Sequence, residues 1–246
     1  MRGATAVFKR ELSGYFVTPV AYVFIVVFLV LAGVFAWDRG MGGFWDHGQA
    51  DLRSFFGFMP WLFLFLIPAV SMRMWAEERR AGTIELLLTL PISLTGAVVG
   101  KFLAAWVFAA IALLLTFPMW VTVNYLGEPD NGAIATAYLG SVLMAGGFLA
   151  VGSLLSAATK SQVVAFILTV VACFALLLAG FTPVIEFLRG WAPAAIVDAV
   201  ASFSFLTRFD GLSKGVVDIR DLVFFGSLMA VCLAGTSLVL EAKKAE

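Results

Sequence analysis

Residues 102–126 read FLAAWVFAAIALLLTFPMWVTVNYL, a run without one charged side chain and long enough to cross a bilayer, which takes about 20 helical residues. Five further runs share the pattern, at roughly 20–37, 55–72, 133–157, 163–181 and 222–240. No water reaches backbone N–H and C=O groups in hydrocarbon, so isolated apolar runs of this length span as α-helices. The chain is therefore expected to be an all-α integral membrane protein with six transmembrane helices. Composition agrees, because 62% of residues are hydrophobic and 13% charged, against about a quarter charged in soluble domains.

Arg2, Lys9 and Arg10 precede the first run, as they would in a signal peptide. That run exceeds the roughly 7–15 residues of a signal's apolar stretch and lacks a small-residue cleavage site, so it is read as a retained span. Six spans put both termini on one side. With the N-terminus inside, the inner segments hold ten basic residues: Arg2, Lys9, Arg10, Arg73, Arg79, Arg80, Lys101, Lys160, Lys243 and Lys244. The outer segments hold six, namely Arg39, Arg53, Arg189, Arg208, Lys214 and Arg220. This excess predicts cytoplasmic N- and C-termini.

Several function classes lose support. The chain has 16 basic and 16 acidic residues, so bulk charge points to no nucleic-acid partner. No ionisable residue sits mid-span, which disfavours a proton relay or ion-coupled carrier. The nearest approach to a phosphate-binding loop, TGAVVGKF at 95–102, has Thr95 for the first glycine and Phe102 for the Mg-binding hydroxyl, and is rejected. Cys173 and Cys232 lie inside apolar runs and read as small buried hydrophobes. The only histidine, His47, neighbours Asp46 and Asp51 on a glycine-rich loop, too few donors to assign a metal site. No catalytic residue is expected.

In the fourth run Ala137, Ser141, Ala145, Gly152 and Ser156 recur on one helical face, where small side chains let another helix approach. Packing within the subunit and a dimer seam both fit. Pro118 is expected to kink the third span.

The polar exception is WAEERRAGTIELLLTLP at 75–91, which concentrates Glu77, Glu78, Arg79, Arg80 and Glu85 on the inner side. Thr83 suits the cap of a short helix from Ile84, Glu85 its first turn, and Pro91 its end. If the helix starts further back, Glu78, Gly82, Glu85 and Thr89 form one polar stripe. In either case Ile84, Leu87 and Leu88 make an apolar face flanked by charge, fit to lie on lipid or to dock on a partner protein.

The pattern Glu77-Glu78-Arg79-Arg80-x-Gly82-Thr83-x-Glu85-x-Leu87-Leu88-x-x-Pro91 resembles the first cytoplasmic loop of ABC-2 type permeases, the membrane subunits of ATP-binding cassette transporters. AVFKRELSGYFVTP at 6–19 resembles that family's interface helix, with Phe8, Leu12 and Tyr15 toward lipid and Lys9 and Arg10 wet. FLTRFDGLSKGVVDIRDLVFF at 205–225 looks like the approach to the sixth span in the gliding-motility and copper-enzyme-maturation subgroup. The resemblance implies a single transmembrane domain over 1–246. Its parts are an interface helix (1–19), spans one and two (20–72), a coupling loop (73–101), spans three to five (102–181), an outer amphipathic segment (182–221), and the last span with its tail (222–246). It also implies that Glu77, Glu78, Arg79, Arg80, Gly82, Thr83, Glu85, Leu87, Leu88 and Pro91 contact a separate cytoplasmic ATPase. ATP and Mg are then held by that partner and no cofactor by this chain. A second permease copy or a related permease, membrane lipid, a prokaryotic inner membrane and export complete the expectation.

Between 182 and 221, Val184, Phe187, Leu188 and Trp191 follow helical spacing, as do Ile196, Val200 and Phe203. They read as short amphipathic helices at the outer interface, lying flat or, as the resemblance implies, re-entrant. The rival readings are an ATP-independent channel or secondary carrier, a lipid-modifying enzyme, and a force-transmitting membrane scaffold using the same ATPase contact. Cargo is not legible.

Overall fold

Apolar periodicity and helix caps together set the elements in the computed structural model, which describes residues 2–38, 44–83 and 93–243. α1 (Arg2–Val17) and α2 (Pro19–Trp37) meet at Thr18, whose extended backbone and hydroxyl bond to the Tyr15 carbonyl (3.0 Å) end one helix, while Pro19 starts the next. A short α3 (Phe44–His47) precedes α4 (Arg53–Ser71) and α5 (Arg73–Ala81), which run on as one membrane-length helix, Arg53–Ala81. Ser93 caps α6 (Leu94–Leu114) by accepting the Gly96 N–H. α7 (Phe117–Leu126) has Pro118 in its first turn, so Leu115 and Thr116 interrupt the helical ladder there. The expected kink is thus a break without a sharp bend, and Leu94–Leu126 remains one span.

Asp130 caps α8 (Asn131–Ala158) and Ser161 caps α9 (Gln162–Leu178). Three short helices follow: α10 (Thr182–Arg189), α11 (Ala194–Ser202) and α12 (Phe205–Ser213). α13 (Ile219–Ala242), capped by Asp218, closes the chain. Helix makes up 84% of the structure, and no strand occurs among the described residues. Four helices are long and apolar enough to cross a membrane singly. The count reaches six if α1–α2, bent by 71°, and α9–α10, bent by 72°, each make one span. Phe187, Trp191, Ile196 and Phe203 on or beside α10 and α11 are exposed.

α8 is the hub. It packs against α4, α5, α6, α9, α12 and α13 because small side chains recur around it. At Gly152 the approach is closest, and a Cβ there would overlap the Ser71 side chain of α4. Ala137, Ser141, Ala145, Gly152 and Ser156 are all buried within this single chain. α2 and α4 run antiparallel, with Phe28 stacked near Phe63 (6.0 Å) and Phe35 near Phe58 (5.2 Å). The outer face of α2 leaves Val23, Val26, Val30 and Val34 more than half exposed, a surface that needs hydrocarbon. α1 lies against α6, where a Cβ at Gly100 would meet the Ala4 carbonyl oxygen at 2.8 Å.

Candidate functional site

The charged run is helical and extends α4 rather than forming a loose loop. A helix start leaves its first N–H groups without partners, and those of α5 are met by another helix. Ser156 Oγ on α8 accepts the backbone N–H of both Trp75 and Ala76, each at 3.1 Å, and donates to the Met72 carbonyl at 3.0 Å. The Trp75 indole, fully enclosed, donates Nε1–H to Ser153 Oγ at 3.0 Å. A helix end has the opposite need, for donors to its last carbonyls. At the end of α8, Arg79 Nη1 donates to the Ala157 carbonyl (2.7 Å) and Lys243 Nζ to that of Ala158 (2.6 Å).

The other flank of α5 is held by charge. Lys101, one turn into the buried part of α6, is 5% exposed. Its Nζ lies 2.7 Å from Glu78 Oε1 and 3.4 Å from Glu11 Oε1 on α1, and donates to the Met74 carbonyl at 3.2 Å. It also sits over the Trp75 ring, 5.2 Å from its centroid. Such an ammonium is tolerated only because carboxylates, a carbonyl and a π-face replace its water. Glu78 Oε2 is buried with no hydrogen-bond partner. One lysine thereby ties α1, α5 and α6 together. Arg79, Lys101 and Lys243, assigned to one side by their charge, do meet at one end of the bundle.

α5 ends at Gly82, whose left-handed backbone (φ 70°, ψ 6°) lets its N–H return to the Glu78 carbonyl. Of the stripe Glu78, Gly82, Glu85 and Thr89, the described part is Glu78 within α5 and Gly82 at its capped end, and Glu85 and Thr89 lie outside the described residues. Arg73, Glu77, Arg80, Gly82 and Thr83 are exposed. Glu78, read as a partner contact, points inward instead and is tied to Lys101. Glu85, Leu87, Leu88 and Pro91 lie outside the described residues, as do the side chains of Asp46 and His47. No group of three or more His, Cys, Asp or Glu able to hold a metal occurs among the described residues.

In the sequence Lys101 signals topology and completes the rejected TGAVVGKF pattern, and Glu11, Trp75 and Ser153 carry no signal of a site. The available signal was Ser93, a good cap that starts α6 well before the apolar run and so draws Lys101 into the helix. Ser156 is a small spacer by its sequence pattern, and its hydroxyl is a three-way hydrogen-bond hub. At the opposite end, Arg208 Nη1 pairs with the buried Asp221 at 3.1 Å and fixes α12 to the start of α13.

A family model described as ABC-2 family transporter protein matches residues 9–176, which takes in the second half of α1, the charged run and the α8 hub. Comparison with curated proteins finds no match.

Proposed function

The chain belongs to the ABC-2 family of transporter proteins, and we propose that it is a permease subunit driven by ATP hydrolysed on a separate, cytoplasmic ATPase. The observation that carries this reading is the mounting of α5. The helix is anchored to α8 through Trp75 and Ser156 and to α1 and α6 through Lys101, yet it presents Arg80, Gly82 and Thr83 to solvent. A push on that tip is transmitted to three other helices at once, since packed elements move as units rather than deform.

On this reading the basic end of the bundle, with both termini, is cytoplasmic, and six spans cross a prokaryotic inner membrane. Two permease chains and two ATPases make the working unit, ATP and Mg reside in the ATPases, and cargo moves outward. Residues 84–91 follow the capped end of α5 and supply the apolar face for docking. Glu78 serves the anchor, and Arg80, Thr83 and Glu85 serve the contact.

The test is purification of the tagged chain from its native membranes in mild detergent. An ATPase subunit should accompany it and be lost from the variant Arg80→Glu/Glu85→Lys, whose melting midpoint stays that of the parent. Retention of the ATPase by that variant, or transport by vesicles that lack ATP, would sink the proposal and favour a carrier or channel.

A further inference from the structure

A groove of about 370 Å³ opens between α1, α2, α4 and α5, floored by Phe108 of α6. That volume falls in the range of about 300–1,000 Å³ typical of ligand sites. The Phe108 ring is held by Tyr15 stacked at 4.9 Å and by Phe24 at 5.4 Å. The two long walls run antiparallel, and both change character in the same direction. On α2 the lining passes from Thr18 to Val27, about 14 Å at about 1.5 Å per residue. On α4 and α5 it passes from Glu77 and Arg73 to Leu66, about 16 Å on the same rise. One end is charged, and the remainder is apolar.

The charged end has a definite composition. Arg73 and Glu77 stand one turn apart, are exposed, and form no ion pair or hydrogen bond through their side chains with another described residue. Glu11, also on the rim, is engaged with Arg10 at 2.7 Å and Lys101 at 3.4 Å. The mouth therefore offers one free guanidinium, suited to a phosphate, and one free carboxylate, suited to an ammonium. An anionic headgroup would meet the carboxylates without a second cation to offset them.

We propose that this groove is a binding site for a zwitterionic aminophospholipid of the adjacent leaflet. Its phosphate is held by Arg73, its ammonium by Glu77, and one acyl chain lies along Phe24, Val27, Leu66 and Val70. The site shares α5 with the proposed ATPase contact, Glu77 lying three residues before Arg80, so it is tested by lipid binding alone.

The experiment is native mass spectrometry of the delipidated protein titrated with dioleoyl phosphatidylethanolamine, phosphatidylglycerol or phosphatidylcholine. Phosphatidylethanolamine should bind tightest, and soluble phosphoethanolamine, which lacks acyl chains, should not displace it. Arg73→Gln/Glu77→Gln should lower its affinity by more than about tenfold, the loss expected for a single charged hydrogen bond, and abolish the headgroup preference. Val27→Phe, which fills the apolar end from an accessible position, should weaken binding while leaving headgroup preference intact. Equal binding of all three lipids, untouched by either variant, would overturn the proposal in favour of ordinary boundary lipid. A Val23→Cys variant that forms an interchain disulfide in the native membrane would overturn it in favour of a second copy of the chain in the groove.

Discussion

Replacing Lys101 by methionine removes the ammonium and keeps most of the side-chain volume. Stripping one partner from a buried ion pair costs about 3–5 kcal/mol, because the other charge is left uncompensated. Here the lower end applies, since the Glu78 and Glu11 side chains retain 20% and 24% of their exposure and are partly hydrated. A loss of about 3 kcal/mol corresponds to a fall of about 6–12 °C in melting midpoint for a chain of this size. The assay is thermal unfolding of the detergent-purified protein. A double-mutant cycle isolates the pair: Lys101→Met with Glu78→Gln should fall short of the summed single effects by about 1–2 kcal/mol, because the neutral glutamine no longer lacks a counter-charge. Limited proteolysis of α1 should accelerate in Lys101→Met, since Glu11 loses its tie to α6. If Lys101→Met melts within about 2 °C of the parent and α1 is cut no faster, the lysine is not what joins the three helices.

Three further outcomes follow from the same geometry. Ser156→Ala leaves the Trp75 and Ala76 N–H groups and the Met72 carbonyl without their partner, and should destabilise by about 2–3 kcal/mol in the same melting assay. Gly152→Ala drives a Cβ into Ser71 and should cost about 1–3 kcal/mol, whereas Gly152→Ala with Ser71→Gly should recover much of it. Gly82→Ala meets no neighbouring atom but must hold a positive φ, so about 1 kcal/mol of local strain should fray the tip of α5. Hydrogen exchange at Arg80 to Thr83 should rise while the global midpoint stays unchanged.

The helical content and membrane character were legible because hydrocarbon leaves the backbone no alternative, and long uncharged runs announce it directly. The short helices after residue 181 were also readable, from the spacing of Phe187, Trp191, Ile196 and Phe203. The boundaries were not, because hydropathy tracks lipid contact and not hydrogen bonding. Ser93 starts α6 before its apolar run, and α4 continues through Met72 into charged α5. The site was half legible. Arg80, Gly82 and Thr83, in the run that charge singles out, are exposed, but the inward turn of Glu78 depends on Lys101 and Glu11, remote in sequence. Charge along a helix tells which residues need a partner, and only the packing of the neighbours tells whether that partner is water, lipid or a lysine. The small face of α8 was visible as spacing, while its engagement with α4 and α5 inside one chain rests on contacts some 80 residues apart, such as Trp75 with Ser156.

The seating of α1 on α6 has a mechanical meaning. Through the peptide chain α1 belongs to α2, from which Thr18 alone separates it. By packing it belongs to α6, pressed against Gly100 and bridged by Glu11 to Lys101. If α2 and α6 shift relative to each other, α1 travels with α6, and the change must be taken up in the few bonds around Thr18 and Pro19. The first helix would then be a passenger of α6, and the bend before α2 the pivot about which that wall of the groove swings.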